Sequence, residues 1–258
     1  MIKKKLISIL ISNYNKEKFI KSSIKSAFNQ KYNNFEVILF DDASTDKSLL
    51  KIKNFKKIKL IKNKYKIKKN SALSQLNGII RAFKRSKGSV ICLLDSDDKF
   101  STFKLNEVSN SFEKKNIDFL TNFPNIKKKN FIIKNKSKNI SIWPTIFPTS
   151  CISIRRNAFK KFIKYAHPNK YPLLEIDARL AIFAKYILNQ NYVINKKLTY
   201  YVSDPKGISS YSPKFSKLWW IKREQSFCYL EKVLNQSNKK FIKGIDYYLT
   251  KFLNIFIN

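Results

Sequence analysis

Glycine and histidine are scarce in this chain: its 258 residues include four glycines and one histidine. Isolated glycines at positions 78, 88, 207 and 244 cannot form the glycine-rich dinucleotide fingerprint or a Walker A loop. With His167 as the single histidine, the familiar His-based zinc sites are excluded, and a Ser-His-Asp triad could use only that one residue. A phosphate group bound by this chain must therefore be neutralised by other means.

Cysteines are also few, and long apolar runs are missing. The three cysteines, Cys92, Cys151 and Cys228, lie far apart without metal-knuckle spacing, and their odd number argues against a disulfide framework. We therefore expect a reducing, cytoplasmic compartment. No apolar run reaches the roughly 20 residues of a membrane-spanning helix. The N-terminal "MIKKKLISILIS" is basic and then apolar, but no small-residue cleavage site follows, so it predicts a first buried strand.

Acidic residues are far fewer than basic ones: the chain has 17 acidic residues against 53 Lys and Arg, and its net charge is +36. Such an excess fits compositional drift, attraction to an anionic membrane surface, or nucleic-acid binding. Only six of the 53 are Arg, the residue that nucleic-acid readers use for bidentate contacts. Nucleic acid is therefore the least favoured partner.

Short strands and helices alternate in the first half of the chain. β-rich runs cover residues 6–12, 35–40, 58–61 and 90–94, and helical spacing covers residues 19–28 and 71–84. This alternation predicts a doubly wound α/β domain with a mostly parallel sheet flanked by helices. In such sheets ligands bind beyond the carboxyl ends of the strands.

The scarce acids are concentrated at two of these strand ends. "FEVILFDDASTD" ends a strand in Asp41 and Asp42, and "VICLLDSDD" ends another in Asp95, Asp97 and Asp98. Asp after a strand can simply start turns and cap helices. However, carboxylates this close repel one another unless a cation shares the site. The two clusters together favour a seat for Mg²⁺ or Mn²⁺, hard cations that take oxygen ligands and bridge to phosphate.

The second half predicts further elements with less alternation. Residues 151–156 predict a strand followed by a helix, residues 174–188 a helix, and the Lys-rich stretch 125–139 an exposed hairpin or loop. Residues 213–258 predict two amphipathic helices in which aromatic residues alternate with lysines. These helices could lie on an anionic leaflet or pack onto the preceding domain. We expect a domain over residues 1–212 and a helical extension over 213–258.

Four motifs occur in an order that resembles a known family. They are the turn Ser12–Asn15, the pair Asn29–Gln30, "DDASTD" and "DSDD". Together they closely resemble the nucleotide-sugar-binding half of family 2 glycosyltransferases, strongly over about residues 6–105 and more weakly to about 230. The family usually has proline at the position of Ser12 or Asn13, so this turn departs from the pattern. The resemblance implies a GT-A fold, with a nucleotide-sugar half over 1–105 and an acceptor half over 106–212.

The resemblance also implies roles for individual residues. Ser12 and Tyr14 would lie beside the nucleoside, Asp42 would face the base, and Asp41 would support it. Ser96 belongs to the extended DxD motif with the three acids of "DSDD", which the family places at the ribose, the diphosphate and the metal. The implied nucleotide-sugar-binding residues are Ser12, Tyr14, Asp41, Asp42, Asp95, Ser96 and Asp97, and the implied ligands of Mn²⁺ or Mg²⁺ are Asp97 and Asp98.

A catalytic acid is implied further along the chain. In "LLEIDARLAIF", Asp177 matches the family's catalytic acid, and Glu175 stands one place earlier than the usual partner. A helix would turn the two about 200° apart, so only one of them would face the acceptor. From the residues alone, the favoured interpretation of Asp177 is an acid at a helix start or a partner of Arg179, and only the resemblance favours the catalytic role. Residues 200–212 resemble a loop that closes over the diphosphate through Lys206, Ser209 or Ser210, with a solvated loop as the alternative.

These implications predict a metal-dependent, inverting hexosyltransferase. It would move a sugar from a nucleotide diphosphate donor, with UDP-sugars favoured, to a glycan or lipid-linked acceptor in surface polysaccharide or lipopolysaccharide synthesis, peripherally at the cytoplasmic membrane face. One alternative is a sugar nucleotidyltransferase-like enzyme, which needs a Gly- and Arg-rich triphosphate loop that "ISNYNKEKF" does not supply. The other is a basic nucleic-acid-binding protein on a degenerate transferase fold.

Overall fold

The computed structural model describes residues 4–66, 71–126, 142–202 and 212–257. Within these ranges eight strands form one sheet, and their order across it, by position of the first residue, is 58, 35, 7, 90, 152, 119, 192 and 99. The prediction of a hairpin or loop over 125–139 falls almost entirely outside the described residues. So do the predicted phosphate contacts of Lys206, Ser209 and Ser210.

The first four strands are parallel, as the alternation of the sequence predicts. They are β1 (Ile7–Asn13), β2 (Phe35–Asp41), β3 (Ile58–Lys62) and β4 (Val90–Asp95). The connecting helices are α1 (Ile20–Phe28), α2 (Ser48–Ile52) and α3 (Ser71–Arg85). The prediction of an α/β domain with a mostly parallel sheet is confirmed.

The second half of the sheet is mixed. Here lie β5 (Lys99–Phe100), β6 (Phe119–Asn125), β7 (Ile152–Arg155) and β8 (Tyr192–Tyr200), with helices α4 (Lys104–Lys114) and α5 (Arg156–Ile163). β7 pairs antiparallel with β4 and β6, and β5 pairs antiparallel with β8. β8 is absent from the sequence prediction because its centre reads Asn195–Lys196–Lys197, which breaks the alternation of a half-buried strand.

Both faces of the sheet are covered, and the period of two along each strand decides which residue faces which layer. Leu10 of β1 joins a cluster with residues of α3, α5 and α6, whereas Ile9 and Ile11 join the opposite cluster with residues of α1 and α4. All three side chains are fully buried. Because strands buried on both faces need apolar residues on both, β4 is apolar from Val90 to Leu94 and the centre of β1 is apolar from Ile9 to Ile11.

Three further helices complete the described chain. α6 (Ile176–Phe183) begins two residues after the predicted start and continues into a π-helical turn over Ala184–Leu188. α7 (Lys217–Gln236) and α8 (Ile245–Ile257) are the two helices predicted over residues 213–258. Residues of α7 pack on α6 in a third apolar cluster that includes Ala178, Ile182 and Tyr229. In the described part of the chain, no helix has the length and apolar character needed to cross a membrane.

Candidate functional site

The carboxyl ends of β1, β2 and β4 lie side by side at one edge of the sheet. In the strand register Asn13 is opposite Asp41, and Ser12 is opposite Asp95. The structure thus brings together the two acidic strand ends and the Ser12 turn, which are up to 83 positions apart in the sequence. In open parallel sheets, ligands bind at this edge, beyond the carboxyl ends of the strands.

Three carboxylates crowd the turn after β4. Asp95, Asp97 and Asp98 each offer an oxygen within 4.8 Å of the others. Burial, together with the charge of Asp97, raises the pKa of Asp98 to about 7. Burial and the charges of Asp98 and Asp97 raise the pKa of Asp95 well above its ordinary value. The protein by itself therefore disfavours the fully ionised turn.

The same turn fits a divalent cation. Asp98 accepts a hydrogen bond at Oδ1 from the Val202 N–H (2.8 Å), but its Oδ2 is buried and has no partner among the described residues. A buried carboxylate oxygen without a donor is costly, and a cation would satisfy it. Oxygen ligands at this spacing suit Mg²⁺ or Mn²⁺. Asp97 and Asp98, with Asp95 beside them, are the residues that could hold the ion.

A lysine supplies part of the positive charge that the sequence predicts for this turn. Lys16, in the loop after β1, places its Nζ 2.6 Å from Asp97 Oδ2, and both side chains are mostly buried. Lys16 was not predicted as a site residue. The available signal was its position in "NYNKEKF", a loop that must leave β1 at the same sheet edge.

A second lysine lies buried behind the turn. Lys104 Nζ donates to Asn122 Oδ1 (2.9 Å), Thr199 Oγ1 (3.0 Å) and the Ser150 carbonyl (2.5 Å). Burial lowers its pKa to about 8. Ser150 in turn accepts a hydrogen bond at Oγ from the backbone N–H of Asp95 (2.9 Å). Lys104 therefore fixes the segment that holds the end of β4, and its helical position gave no sign of this role.

Asp41 and Asp42 are both buried, and each has its own set of donors. Asp41 accepts hydrogen bonds from Asn13 Nδ2 (2.8 Å) and from the N–H (3.0 Å) and Oγ (2.6 Å) of Ser44. Asp42 accepts hydrogen bonds from Asn63 Nδ2 (2.8 Å) and from the Ser74 hydroxyl. Asp41 thus also stabilises the turn after β2, which agrees with the alternative that an Asp after a strand starts a turn.

The remaining predicted donor-site residues surround the same edge. Ser12 lies on β1 beside Gly78 of α3, and Ser96 is buried in the acidic turn. Tyr14 is 37% exposed, with Lys66 Nζ 3.6 Å from its ring centroid. Gln75 was not predicted as a site residue. Its Nε2 donates a hydrogen bond to Asp95 Oδ1 (2.7 Å). Its Oε1 is buried without a partner among the described residues.

Glu175 and Asp177 stand in different surroundings. Glu175 is the N-cap residue of α6, and its carboxylate is ion-paired with Lys222 of α7. Asp177 lies in the first turn of α6, where burial and the charge of Glu175 raise its pKa to about 7. Its charge in turn contributes to the raised pKa of Asp95, so the two carboxylates share one electrostatic environment.

The alternative role of Asp177 as a partner of Arg179 is wrong. Arg179 is fully buried, and its guanidinium donates instead to backbone carbonyl groups, including those of Ala166 (2.5 Å), Leu174 (3.0 Å) and Tyr171 (2.7 Å). Among the described ion pairs none joins Arg179 to Asp177. The other alternative, a helix-start acid, agrees with the position of Asp177 in the first turn of α6, where its Oδ1 accepts a hydrogen bond from the Ala178 N–H (2.7 Å).

Comparison with known proteins agrees with this geometry. The chain is 35% identical over 117 residues to UDP-Glc:alpha-D-GlcNAc-diphosphoundecaprenol beta-1,3-glucosyltransferase WfgD of Escherichia coli, a match that covers 45% of this chain and 44% of the relative. The match thus spans less than half of the relative's length.

Two solved structures share the fold at low sequence identity. TarS of S. aureus superposes with a TM-score of 0.66 at 16% identity, over 96% of this chain and 42% of TarS. The mannosyltransferase PcManGT from Pyrobaculum calidifontis, solved with GDP-Man and Mn²⁺, gives a TM-score of 0.61 at 11% identity, over 97% and 70%. The mixed sheet with flanking helices is the GT-A-like glycosyltransferase architecture, which confirms the predicted fold class.

The sequence profile described as glycosyl transferase family 2 matches residues 8–188, which include the acidic turn and Asp177. This match covers more than two thirds of the chain. The chain belongs to glycosyl transferase family 2.

Proposed function

We propose that this chain transfers a sugar from a nucleoside-diphosphate donor, with UDP-sugars as the favoured class, to a hydroxyl of a glycan or lipid-linked glycan. The proposed setting is the synthesis of cell-surface polysaccharide or lipopolysaccharide. The observation that carries the proposal is the pairing of the Asp95–Asp98 turn with Asp177, an acid of raised pKa in the same electrostatic environment. The name of WfgD, which specifies UDP-Glc and a diphosphoundecaprenol acceptor, supports the donor and acceptor classes.

The donor would bind in the half formed by residues 1–105, and the acceptor in residues 106–212, with 213–258 as an extension. The donor-site residues are Ser12, Tyr14, Asp41, Asp42, Asp95, Ser96 and Asp97. Asp97 and Asp98 would hold Mn²⁺ or Mg²⁺, which supplies positive charge beside the departing diphosphate. Lys16, already within reach of Asp97, adds a fixed positive charge from the chain itself.

Asp177 is the proposed general base, in preference to Glu175. Lys222 forms an ion pair with Glu175 and so neutralises its charge, whereas no described ion pair occupies Asp177. The acceptor hydroxyl gives its proton to Asp177, and its oxygen forms a bond to the anomeric carbon. The bond from that carbon to the diphosphate oxygen breaks, and its electron pair leaves with the diphosphate. A single displacement from the opposite side inverts the anomeric configuration.

The proposed location is the cytoplasmic face of the membrane, where a lipid-linked acceptor would be within reach. Neither alternative function gains support from a specific observation in the described structure. The nucleotidyltransferase alternative would release pyrophosphate instead of a nucleoside diphosphate. The nucleic-acid alternative would show salt-sensitive binding without turnover of a nucleotide sugar.

The test is to incubate the protein with a panel of UDP-, GDP- and dTDP-sugars and to measure release of nucleoside diphosphate with and without Mn²⁺. We expect Mn²⁺-dependent release from at least one donor, and a loss of at least about a hundredfold in Asp97→Asn. Asp118→Asn is the matched control, because Asp118 precedes β6 at the opposite end of the sheet and its side chain is 46% exposed. Equal rates in the two variants, or no release with any donor, would refute the proposal.

A further inference from the structure

The faces of α8 are reversed relative to an ordinary surface helix. Its large apolar side chains are exposed, from 48% for Leu249 to 88% for Ile245. At about 100° per residue, this exposed set covers an arc of roughly 120°. The exposed residues are Ile245, Tyr248, Leu249, Phe252, Ile255 and Phe256. We call this set the α8 apolar face.

The opposite side of α8 contacts the protein and is mostly polar. Thr250 and Asn254 are buried there, together with Tyr247, whose ring packs against that of Phe227 with 5.3 Å between the centroids. Arg223 of α7 donates from Nη2 to Asp246 Oδ2 (2.5 Å) and from Nε to Thr250 Oγ1 (3.1 Å), and Asn254 Nδ2 donates to the Trp220 carbonyl (3.2 Å). A surface helix normally buries its apolar stripe and exposes its polar residues. Hydrogen bonds thus hold α8 in place while its apolar face is left open.

More exposed apolar residues lie at both ends of this helix pair. α7 and α8 are antiparallel, because Lys243 pairs with Glu231 at one end and Asn254 contacts Trp220 at the other. Ile242 (82% exposed) precedes α8, and Phe215 (67% exposed) precedes α7 near the far end of α8. Exposed apolar residues therefore stand at both ends of the pair as well as along α8. Large exposed apolar surfaces mark interaction sites.

The charges around this surface are almost all positive. Residues 212–257 contain nine Lys and Arg and three acids. All three acids, Glu224, Glu231 and Asp246, are ion-paired with a basic residue of the same helix pair or of the segment that joins its helices. Exposed lysines remain at both ends, namely Lys214, Lys217, Lys239 and Lys240. A partner of opposite charge would be attracted from both ends of α8.

We infer that the α8 apolar face docks into the interfacial layer of a bilayer that contains anionic lipids. Docking of a second copy would bring two chains of charge +36 into contact, each with exposed lysines beside this face, and the two would repel each other. An anionic surface would attract the chain instead. At 13 residues α8 is about 20 Å long, too short to cross a hydrocarbon core of about 30 Å, so it would lie in the membrane plane. Aromatic residues among lysines suit that position. This inference does not depend on which sugar, if any, the chain transfers.

The test is co-sedimentation of the full chain with vesicles of phosphatidylethanolamine and phosphatidylglycerol, compared with vesicles of phosphatidylcholine alone. We expect binding to the anionic vesicles only, and about tenfold or greater weakening in the double variant Phe252→Ser/Phe256→Ser. The matched control is Leu60→Ser/Tyr65→Ser, which removes two exposed apolar side chains on and after β3. This control should bind as the unmodified chain does.

Circular dichroism should show that both double variants keep the helical content of the unmodified chain. Equal vesicle binding by the Phe252→Ser/Phe256→Ser variant and the control would overturn the inference, because binding would then come from net charge alone. Sedimentation velocity provides the other decisive result. A dimer that dissociates in the Phe252→Ser/Phe256→Ser variant would show that a second copy covers this face.

Discussion

Glu175 and Asp177 lie two positions apart, and Lys222 gives them different electrostatic surroundings. Lys222 is paired with Glu175, and the negative charge of Glu175 in turn raises the pKa of Asp177. Burial contributes the largest part of that rise, and the charge of Lys222 lowers the pKa. Asp177 is therefore balanced near neutrality, the range in which a general base can both take and release a proton.

The proposed base predicts a specific pH dependence of the rate. Asp177 must be ionised to accept a proton, so kcat measured at saturating Mn²⁺ and donor should rise with pH and level off above about 7. Asp177→Asn should lower kcat by about a hundredfold or more and remove this rise. The profile should be followed by nucleoside diphosphate release between pH 5.5 and 8.5. A flat profile in the unmodified chain would contradict the assignment.

Lys222 predicts a shift of that profile. In Lys222→Met, Glu175 keeps its charge without a counterion and the lowering effect of Lys222 is lost, so the pKa of Asp177 should rise. We expect the rising limb of the kcat profile to move to higher pH, with a several-fold lower rate at pH 6.5 and a plateau close to that of the unmodified chain. Lys232→Met, on an exposed position of the same helix, is the control and should leave the limb in place. Uniform loss of rate at every pH would indicate a merely structural role for Lys222.

At the scale of elements, the turn into β4 packs directly on β1. A Cβ added at Gly88 would lie 2.6 Å from the Ser8 nitrogen and 2.9 Å from the Ile7 carbonyl carbon. Both are backbone atoms of β1. The Gly88 N–H also donates to Ser8 Oγ (2.8 Å) and Glu36 Oε1 (3.1 Å). The register of β1 against β4, and with it the position of Ser12 opposite Asp95, depends on this close approach.

Gly88→Ala should therefore destabilise the fold. The central strand cannot move away without breaking its pairing on both sides, so we expect a loss of about 2 kcal/mol in the free energy of unfolding. Urea denaturation followed by tryptophan fluorescence measures this loss. Gly244→Ala is the control, because a Cβ there meets no atom within 4 Å. A similar loss at both positions would show that the contact with β1 is not responsible.

At the scale of the whole molecule, the acidic turn costs stability when it ionises. The pKa of Asp98 is raised to about 7, above the value of about 4 expected in the unfolded chain. Its protonated form is therefore favoured by folding, and the free energy of unfolding is reduced as pH rises from about 4 through 7. The lowered pKa of His167, caused first by burial, acts in the opposite direction over part of this range. A difference between variants isolates the contribution of Asp98.

Asp98→Asn should match the unmodified chain in Tm at about pH 3.5, where this carboxyl is protonated in both the folded and the unfolded chain, and exceed it by several degrees at pH 8 when metal is removed with EDTA. The proposed binding of Mn²⁺ to the folded state should raise the Tm of the unmodified chain at pH 8 and have little effect on Asp98→Asn. Differential scanning fluorimetry measures both effects. If the unmodified chain had a higher Tm than Asp98→Asn at pH 8 without metal, ionisation of the acidic turn would not reduce stability, and the prediction would be wrong.

Local patterns predicted much of the fold and of the candidate site. The apolar runs of β1 and β4 and the helical spacing of α3 required no tertiary information, and the acids after β2 and β4 marked the correct sheet edge. β8 was not predicted, because its central lysines hide the strand pattern. Lys16, Lys104 and Lys222 were not identified as special, because they are three among many lysines, and nothing local distinguishes a lysine that is paired with an acid 81 or 47 positions away.

The sequence by itself determined that strands and helices alternate, which acids follow which strands, and which family motifs occur in order, because these properties depend on neighbours within a few positions. Only the tertiary structure decided which cation reaches Asp97, which of Glu175 and Asp177 is neutralised, and which face of α8 contacts the protein. Those outcomes depend on contacts between residues far apart in the chain. Burial and charge act through space, so they are set only when the chain has folded.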